Sequence, residues 1–182
     1  MKTNYTEKQL INKGRHLAFL LRHDKEAFDN GIIDANGWRP VSELIKEQGY
    51  TRELLEEIVE TNNKKRYEFS PDGRKIRARQ GHSIPVDVGL TEAVPPKVLY
   101  HGTSEKTFYQ YIQLEGLKPM SRQHVHLSAD EETARKVGLR HSSDIVIIKI
   151  DTERMHSDGH VFWKSANGVW LTGEVPPEYF IL

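Results

Sequence analysis

Apolar positions recur with a helical period from residue 6 onward. Thr6-Glu7-Lys8-Gln9 has the form of a capping box, in which the Thr6 hydroxyl and the Gln9 side chain satisfy amides orphaned at a helix start. Leu10, Leu17 and Leu21, with Ile11 and Ala18 beside them, then keep to one face, which predicts a helix running to about His23. Asn36-Gly37 marks a turn ahead of Trp38. Val41 to Glu47 reads as a second helix closed by Gly49, and Thr51 caps a third whose stripe is Leu54, Leu55, Ile58 and Val59. The period then falls to two. Residues 66–69 and 75–78 alternate on either side of Ser70-Pro71-Asp72-Gly73, the pattern of a hairpin. Three helices and a hairpin form the layout of a winged helix, a module that often binds nucleic acid although fold alone does not decide this.

Residues 83–97 carry Pro85, Pro95 and Pro96 with little periodicity, which suits a connection between lobes. Beyond it residues 98–100, 125–127, 145–150 and 169–171 read as strands, and residues 129–137 as a helix. The predicted architecture is α+β in two lobes: a winged-helix lobe over 1–84, a linker over 85–97, and a mixed α/β lobe over 98–182.

The composition adds limits. The 182 residues, 37% apolar and 29% charged, suffice for a packed core and do not suggest disorder. Lys and Arg (26) balance Asp and Glu (26), so polyanion binding must come from local clustering. Between Lys64 and His82 there is such a cluster: Lys64, Lys65, Arg66, Arg74, Lys75, Arg77 and Arg79 against Glu68 and Asp72. Counterion release would reward its contact with nucleic acid, though a solvated charged hairpin accounts for most of these residues equally well. Arg77 differs, since on a strand between Ile76 and Ala78 it projects from one face, where a guanidinium suits bidentate contact with a phosphate. Arg22-His23 closes the first helix, where the helix dipole alone already favours positive charge.

The absence of cysteine excludes a disulfide scaffold and a cysteine nucleophile. The first residues lack a signal-peptide apolar run and no stretch is long enough to span a membrane, so a cytoplasmic protein is expected. A monomer is the default. His124 and His126 have no third ligand at a suitable spacing, so no metal is expected.

Six segments, in order, carry a resemblance. They are Leu20-Leu21-Arg22-His23, the run from Ile76 to Ser83, Leu99 to Thr103, His126-Leu127-Ser128, Val137 to His141, and Asn167 to Leu171. Together they resemble the NAD⁺-dependent tRNA 2′-phosphotransferases over nearly the whole chain. The resemblance implies an N-terminal winged-helix RNA lobe, a C-terminal ADP-ribosyltransferase-like lobe and an active site in the cleft between them. It implies as partner an RNA bearing an internal 2′-phosphate at a splice junction, with NAD⁺ consumed as co-substrate. The phosphate attacks the nicotinamide ribose and expels nicotinamide, giving a 2′-phospho-ADP-ribosylated RNA. Attack of the ribose 2″-hydroxyl on phosphorus then releases 2′-hydroxyl RNA and ADP-ribose 1″,2″-cyclic phosphate.

By the same resemblance Arg22, His23, Arg77 and Arg140 handle the phosphate, and His101, Gly102, Thr103, His126, Ser128 and Asn167 bind NAD⁺. Gly102 is expected to let the ligand approach the backbone closely. Lys64, Lys65, Arg66 and Arg79 are the candidate RNA contacts. Val169 stands where many protein-modifying ADP-ribosyltransferases have a glutamate, which argues against a protein-modifying toxin. Arg79 replaces a small polar residue common in the family, and extra phosphate affinity is expected from it. Two other readings stay open: an ADP-ribosyltransferase acting on terminal phosphates of nucleic acid, and a non-catalytic winged-helix nucleic-acid-binding protein.

Overall fold

The Thr6 hydroxyl accepts the Gln9 amide and the Gln9 carboxamide oxygen accepts the Thr6 amide, the reciprocal pair that the first turn calls for. Helix α1 (Glu7–Arg22) follows from it. The computed structural model describes residues 3–181. The chain divides into two units, Met1–Gly89 and Leu90–Leu182, and is α+β throughout.

In the first unit α1 is followed by a short helix α2 (Lys25–Asp29), a two-residue strand β1 (Arg39–Pro40), α3 (Val41–Glu47), α4 (Arg52–Thr61), β2 (Tyr67–Phe69) and β3 (Lys75–Ala78). The strands form an antiparallel sheet of order β1-β3-β2. Leu17, Leu20 and Leu21 of α1 meet Val41 and Leu44 of α3, Leu54, Leu55 and Ile58 of α4, and Tyr67, Ile76 and Ala78 of the sheet in one core. β3 buries Ile76 and Ala78 and turns Lys75 and Arg77 to the other face, as strand alternation requires. α2 and β1 were not expected, because five and two residues are too few for a period to show. Pro40 is tolerated because β1 is an edge strand.

The second unit contains β4 (Thr91–Glu92), β5 (Val98–Ser104), a helical stretch with α5 (Glu105–Thr107), a π-helical turn (Phe108–Ile112) and α6 (Gln113–Glu115), β6 (Val125–Leu127), α7 (Glu131–Gly138), β7 (Ile145–Asp151), α8 (Thr152–Ser157), β8 (Phe162–Lys164), β9 (Trp170–Thr172) and β10 (Phe180–Ile181). They form two antiparallel sheets, β10-β7-β5 and β4-β8-β9-β6. Tyr100 and Ser128 exchange both backbone hydrogen bonds (2.9 and 2.8 Å) and so tie β5 to the end of β6. The core includes Leu99, Phe108, Val125, Leu127, Ile148, Ile150, Met155 and Phe162.

The residues expected as a linker, 85–97, are divided between the units. Val86 is buried with Ala27, Ile33 and Ile84, and the Asp87 amide donates to the Ala35 carbonyl (2.9 Å). Thr91 and Glu92 pair with β8. Proline content signalled the boundary but could not show that the backbone on either side is hydrogen-bonded.

Candidate functional site

The sequence-predicted residues are divided between the units, Arg22, His23, Lys64, Lys65, Arg66, Arg77 and Arg79 in the first and His101, Gly102, Thr103, His126, Ser128, Arg140 and Asn167 in the second. In the first, the segment after β3 returns to the end of α1. The Arg22 carbonyl, which the helix leaves without an intrahelical partner, accepts the amides of Ser83 (3.0 Å) and Ile84 (3.3 Å). His23 Nδ1 lies 2.8 Å from the Ser83 hydroxyl. His82, beside Ser83 in the chain, is almost wholly buried, at 3% exposure. Its pKa is pushed down to about 3, first by burial and then by the positive charges of Arg22, His23 and Arg77. Arg22, His23 and Arg77, 55 positions apart in sequence at the extreme, are therefore all near enough to influence His82.

The fold holds Arg77 on three sides. Its Nε donates to Glu68 Oε1 (2.8 Å), Nη1 donates to the Asn36 carbonyl (3.1 Å), and the guanidinium lies over the Trp38 ring, 4.2 Å from its centroid. Asn36 and Trp38 are set in turn by Asp34, whose carboxylate accepts both their amides at 3.0 Å. Nη2 of Arg77 has no protein partner among the described residues. Glu68 also lies 3.4 Å from Arg79, so the positive charge at 79 is partly offset within the hairpin. The other basic candidates sit on the turn between α4 and β2, where Lys65 Nζ donates to the Glu60 carbonyl (3.2 Å) and the Arg66 amide to Asn62 Oδ1 (3.0 Å).

Arg39 was not singled out in the sequence. Its side chain is 1% exposed. Nη1 donates to the Leu20 carbonyl (2.9 Å) and Asp24 (2.8 Å), while Nε and Nη2 donate to Glu43 (2.7 and 3.0 Å). It thereby fastens the last turn of α1, which carries Arg22 and His23, to the start of α3.

In the second unit His101, Gly102 and Thr103 lie in β5. His101 Nδ1 is 3.0 Å from the His126 carbonyl, which can only accept, so Nδ1 carries the proton and Nε2 is an acceptor. Burial lowers the His101 pKa and the bond to His126 opposes this, with burial the larger. The arrangement is a neutral imidazole of fixed tautomer. His126 Nδ1 faces Arg122 Nη1 at 3.2 Å, and since the guanidinium donates, the proton of a neutral His126 is on Nε2. His124 packs instead on Trp163, 4.9 Å between ring centroids, and among the described residues no cluster of three His, Asp or Glu could hold a metal. Asn167 lies in the tight turn joining β8 and β9, where its Oδ1 accepts the Ser165 hydroxyl (2.6 Å). Antiparallel pairing of β6 with β9 places that turn at the same end of the sheet as Ser128.

Gly102 meets a packing requirement that the sequence did not show. A Cβ there would lie 1.9 Å from the Ala134 carbonyl oxygen and 3.1 Å from the Gly138 amide, both backbone of α7. The glycine lets α7 pack directly on β5, and Gly138 makes the reciprocal contact, its own Cβ position 3.3 Å from the Gly102 carbonyl carbon. That packing fixes the helix end that leads into Arg140, an exposed arginine whose side chain has no hydrogen-bond or ion-pair partner among the described residues. Gly102→Ala is expected to cost about 1–3 kcal/mol of stability, as overpacking does, read as a lower unfolding midpoint in urea.

His82 yields a pH prediction. Its folded pKa lies below the unfolded value of about 6.5, so its contribution is intact above that pH. It is lost as pH falls toward about 3, because the unfolded chain takes up a proton that the folded one excludes. Stability should decline in that window by up to about 1.4 kcal/mol per pH unit, and His82→Gln should flatten that part of the curve of urea midpoint against pH.

Comparison with known proteins places the chain in a family. A family model described as RNA 2′-phosphotransferase, Tpt1 / KptA family, matches residues 8–174. A protein of Fusobacterium nucleatum is 49% identical over 174 residues, covering 93% of this chain and 96% of the relative. One from Escherichia coli is 45% identical over 181 residues, covering 96% of this chain and 97% of the relative. Both bear the name "Probable RNA 2′-phosphotransferase".

Proposed function

Because the chain belongs to the RNA 2′-phosphotransferase, Tpt1 / KptA family, we propose that it removes an internal 2′-phosphate from RNA and transfers it to NAD⁺. The observation that carries this reading is the convergence of Arg22, His23 and Arg77 around the neutral His82. A phosphate dianion is the group that such a cluster suits. Keeping His82 uncharged leaves the arginines, which hold their charge at any relevant pH, to set the field.

The winged-helix reading of the first unit rests on its helices and hairpin, and the ADP-ribosyltransferase reading of the second on the His101-Gly102-Thr103 strand beside His126. The donor set of the second unit fits a ligand rich in hydroxyls with one carboxamide. It offers an acceptor at His101 Nε2, hydroxyls at Thr103 and Ser128, and the carboxamide of Asn167, and these residues would bind and orient NAD⁺. When bound, NAD⁺ supplies an anomeric carbon whose leaving group is already cationic. A 2′-phosphate oxygen forms the bond to that carbon as the bond to nicotinamide breaks. The ribose 2″-hydroxyl then attacks phosphorus, the RNA 2′-oxygen leaves and takes up a proton, and the cyclic phosphate is released. Arg22, Arg77 and Arg140 stabilise charge on the phosphate oxygens during the second step. His23 contacts the phosphate and serves proton transfer.

The test is incubation of the protein with NAD⁺ and a short RNA carrying one internal 2′-phosphate, with products resolved by mass. Loss of the phosphate together with nicotinamide and ADP-ribose cyclic phosphate is expected. RNA that gains ADP-ribose and keeps it would favour an ADP-ribosyltransferase that stops at the first step. If neither substrate changes, the proposal fails.

A further inference from the structure

Helix α1 buries Leu17, Leu20 and Leu21, and its outer face is as patterned as its inner one. Ile11, Arg15, Phe19 and His23 succeed one another every four residues, so they follow a shallow spiral along the outside, about 6 Å per step. Ile11 is 49% and Phe19 52% exposed, and Arg15 is exposed between them. The Phe19 ring stands one turn from His23, centroids 6.4 Å apart and planes tilted by 44°. Residues 8–23 contain Lys8, Lys13, Arg15, Arg22 and two histidines, and no acid.

A phenylalanine half in water does nothing for the core, and helix propensity does not ask for one at a solvent position. Alternation of flat apolar groups with cations is what a single strand of nucleic acid meets well, bases on the rings and phosphates on the cations. The absence of acid from residues 8–23 removes the repulsion that a polyanion would otherwise encounter there. The end of the stripe is His23, already part of the phosphate-handling cluster.

We propose that the outer stripe of α1 is a track for single-stranded RNA next to the phosphorylated nucleotide, with Phe19 stacking the neighbouring base and Arg15 meeting a backbone phosphate one step further along. This rests on the RNA substrate proposed above and adds where the flanking chain lies.

The test is fluorescence anisotropy on the full chain with labelled, unphosphorylated single-stranded RNA and no NAD⁺, so that it does not depend on turnover. Phe19→Ala should weaken binding roughly tenfold, and Phe19→Tyr should retain it. Arg15→Ala should also weaken binding and reduce the slope of log affinity against log salt by about one. On the RNA side, a single abasic position should weaken wild-type binding about as much as Phe19→Ala does, and should add nothing to that variant. The abasic arm decides the matter even if Phe19→Ala proves unstable. Unchanged RNA affinity in Phe19→Ala and with every abasic position overturns the proposal. So does a stripe whose substitution alters only the sedimentation mass, which would make it a protein interface. If these binding effects appear while no phosphate is removed in the presence of NAD⁺, the proposed reaction fails and the track stands.

Discussion

Arg77→Ala is expected to slow phosphate removal by a factor of about 10² to 10³, the usual cost of losing one preorganised donor to developing charge. The expectation rests on how Arg77 is held. Glu68, the Asn36 carbonyl and the Trp38 ring fix its Nε, its Nη1 and one face, leaving Nη2 to be aimed without loss of side-chain freedom during the reaction. A lysine in its place has no planar fork to be held in this way, so Arg77→Lys should recover little activity. In the proposed reaction the nicotinamide leaving group is already cationic, so its expulsion needs less help than attack on phosphorus. The variant should therefore accumulate RNA carrying ADP-ribose, visible by mass in a single turnover with excess enzyme. A rate within threefold of wild type, or no accumulation, would remove Arg77 from the role assigned to it. Trp38→Leu frees one face of the guanidinium while keeping its charge, so its effect should run in the same direction and be smaller.

The second large effect concerns stability. Arg39→Ala leaves Asp24 and Glu43, with side chains 19% and 18% exposed, without the cation that both face. Removing one partner from such a network costs about 3–5 kcal/mol, a large share of a typical domain's stability. The Leu20 carbonyl also loses its donor, so the last turn of α1 should loosen and carry Arg22 and His23 with it. Urea unfolding reads the first consequence, and amide exchange at the end of α1 reads the second. Arg39→Met combined with Asp24→Asn and Glu43→Gln removes all the charges together and should recover much of the loss. If the triple variant is no better than Arg39→Ala, isolation of the acids is not the cause. The same network gives a pH dependence. The hydrogen bond from Arg39 holds the Glu43 carboxyl below its ordinary value, against the opposing effect of burial. The Glu43 contribution is thus present above the unfolded carboxylate pKa of about 4.3 and is lost as pH falls through the lower folded value.

The capping box, α1, α3, α4 and the hairpin could be read from the sequence because each spans enough residues for a period of 3.6 or two to declare itself. α2, β1, β4 and β10 are too short for that. The stretch from Glu105 to Glu115 was missed for another reason: a π-helical turn sits in its middle, so its buried positions, Phe108 and Ile112, do not extend into a longer helical stripe. For the site, residue types were visible and their fastenings were not. Arg77 stood out through its alternation with Ile76 and Ala78, yet the Asn36 carbonyl that steadies it is 41 positions away. Arg39, between Trp38 and Pro40, gives no local sign of burial, because an arginine enters a core only when acids from elsewhere in the chain meet it there. Arg122, which fixes the tautomer of His126, also lacked a signal beyond standing four residues before it. Gly102 stands out in its motif, but its packing against α7 depends on residues more than 30 positions away and has no local sign.

That close approach at Gly102 has a genetic consequence. A residue that collides with a neighbouring side chain can be rescued by a second mutation that shrinks the neighbour. At Gly102 the nearest atoms are the Ala134 carbonyl and the Gly138 amide, which persist whatever side chains occupy those positions. A selection for revertants of Gly102→Ala should therefore return glycine at 102, or changes in the turn 139–144 that let the helix back away, and no compensating substitutions at 134 or 138.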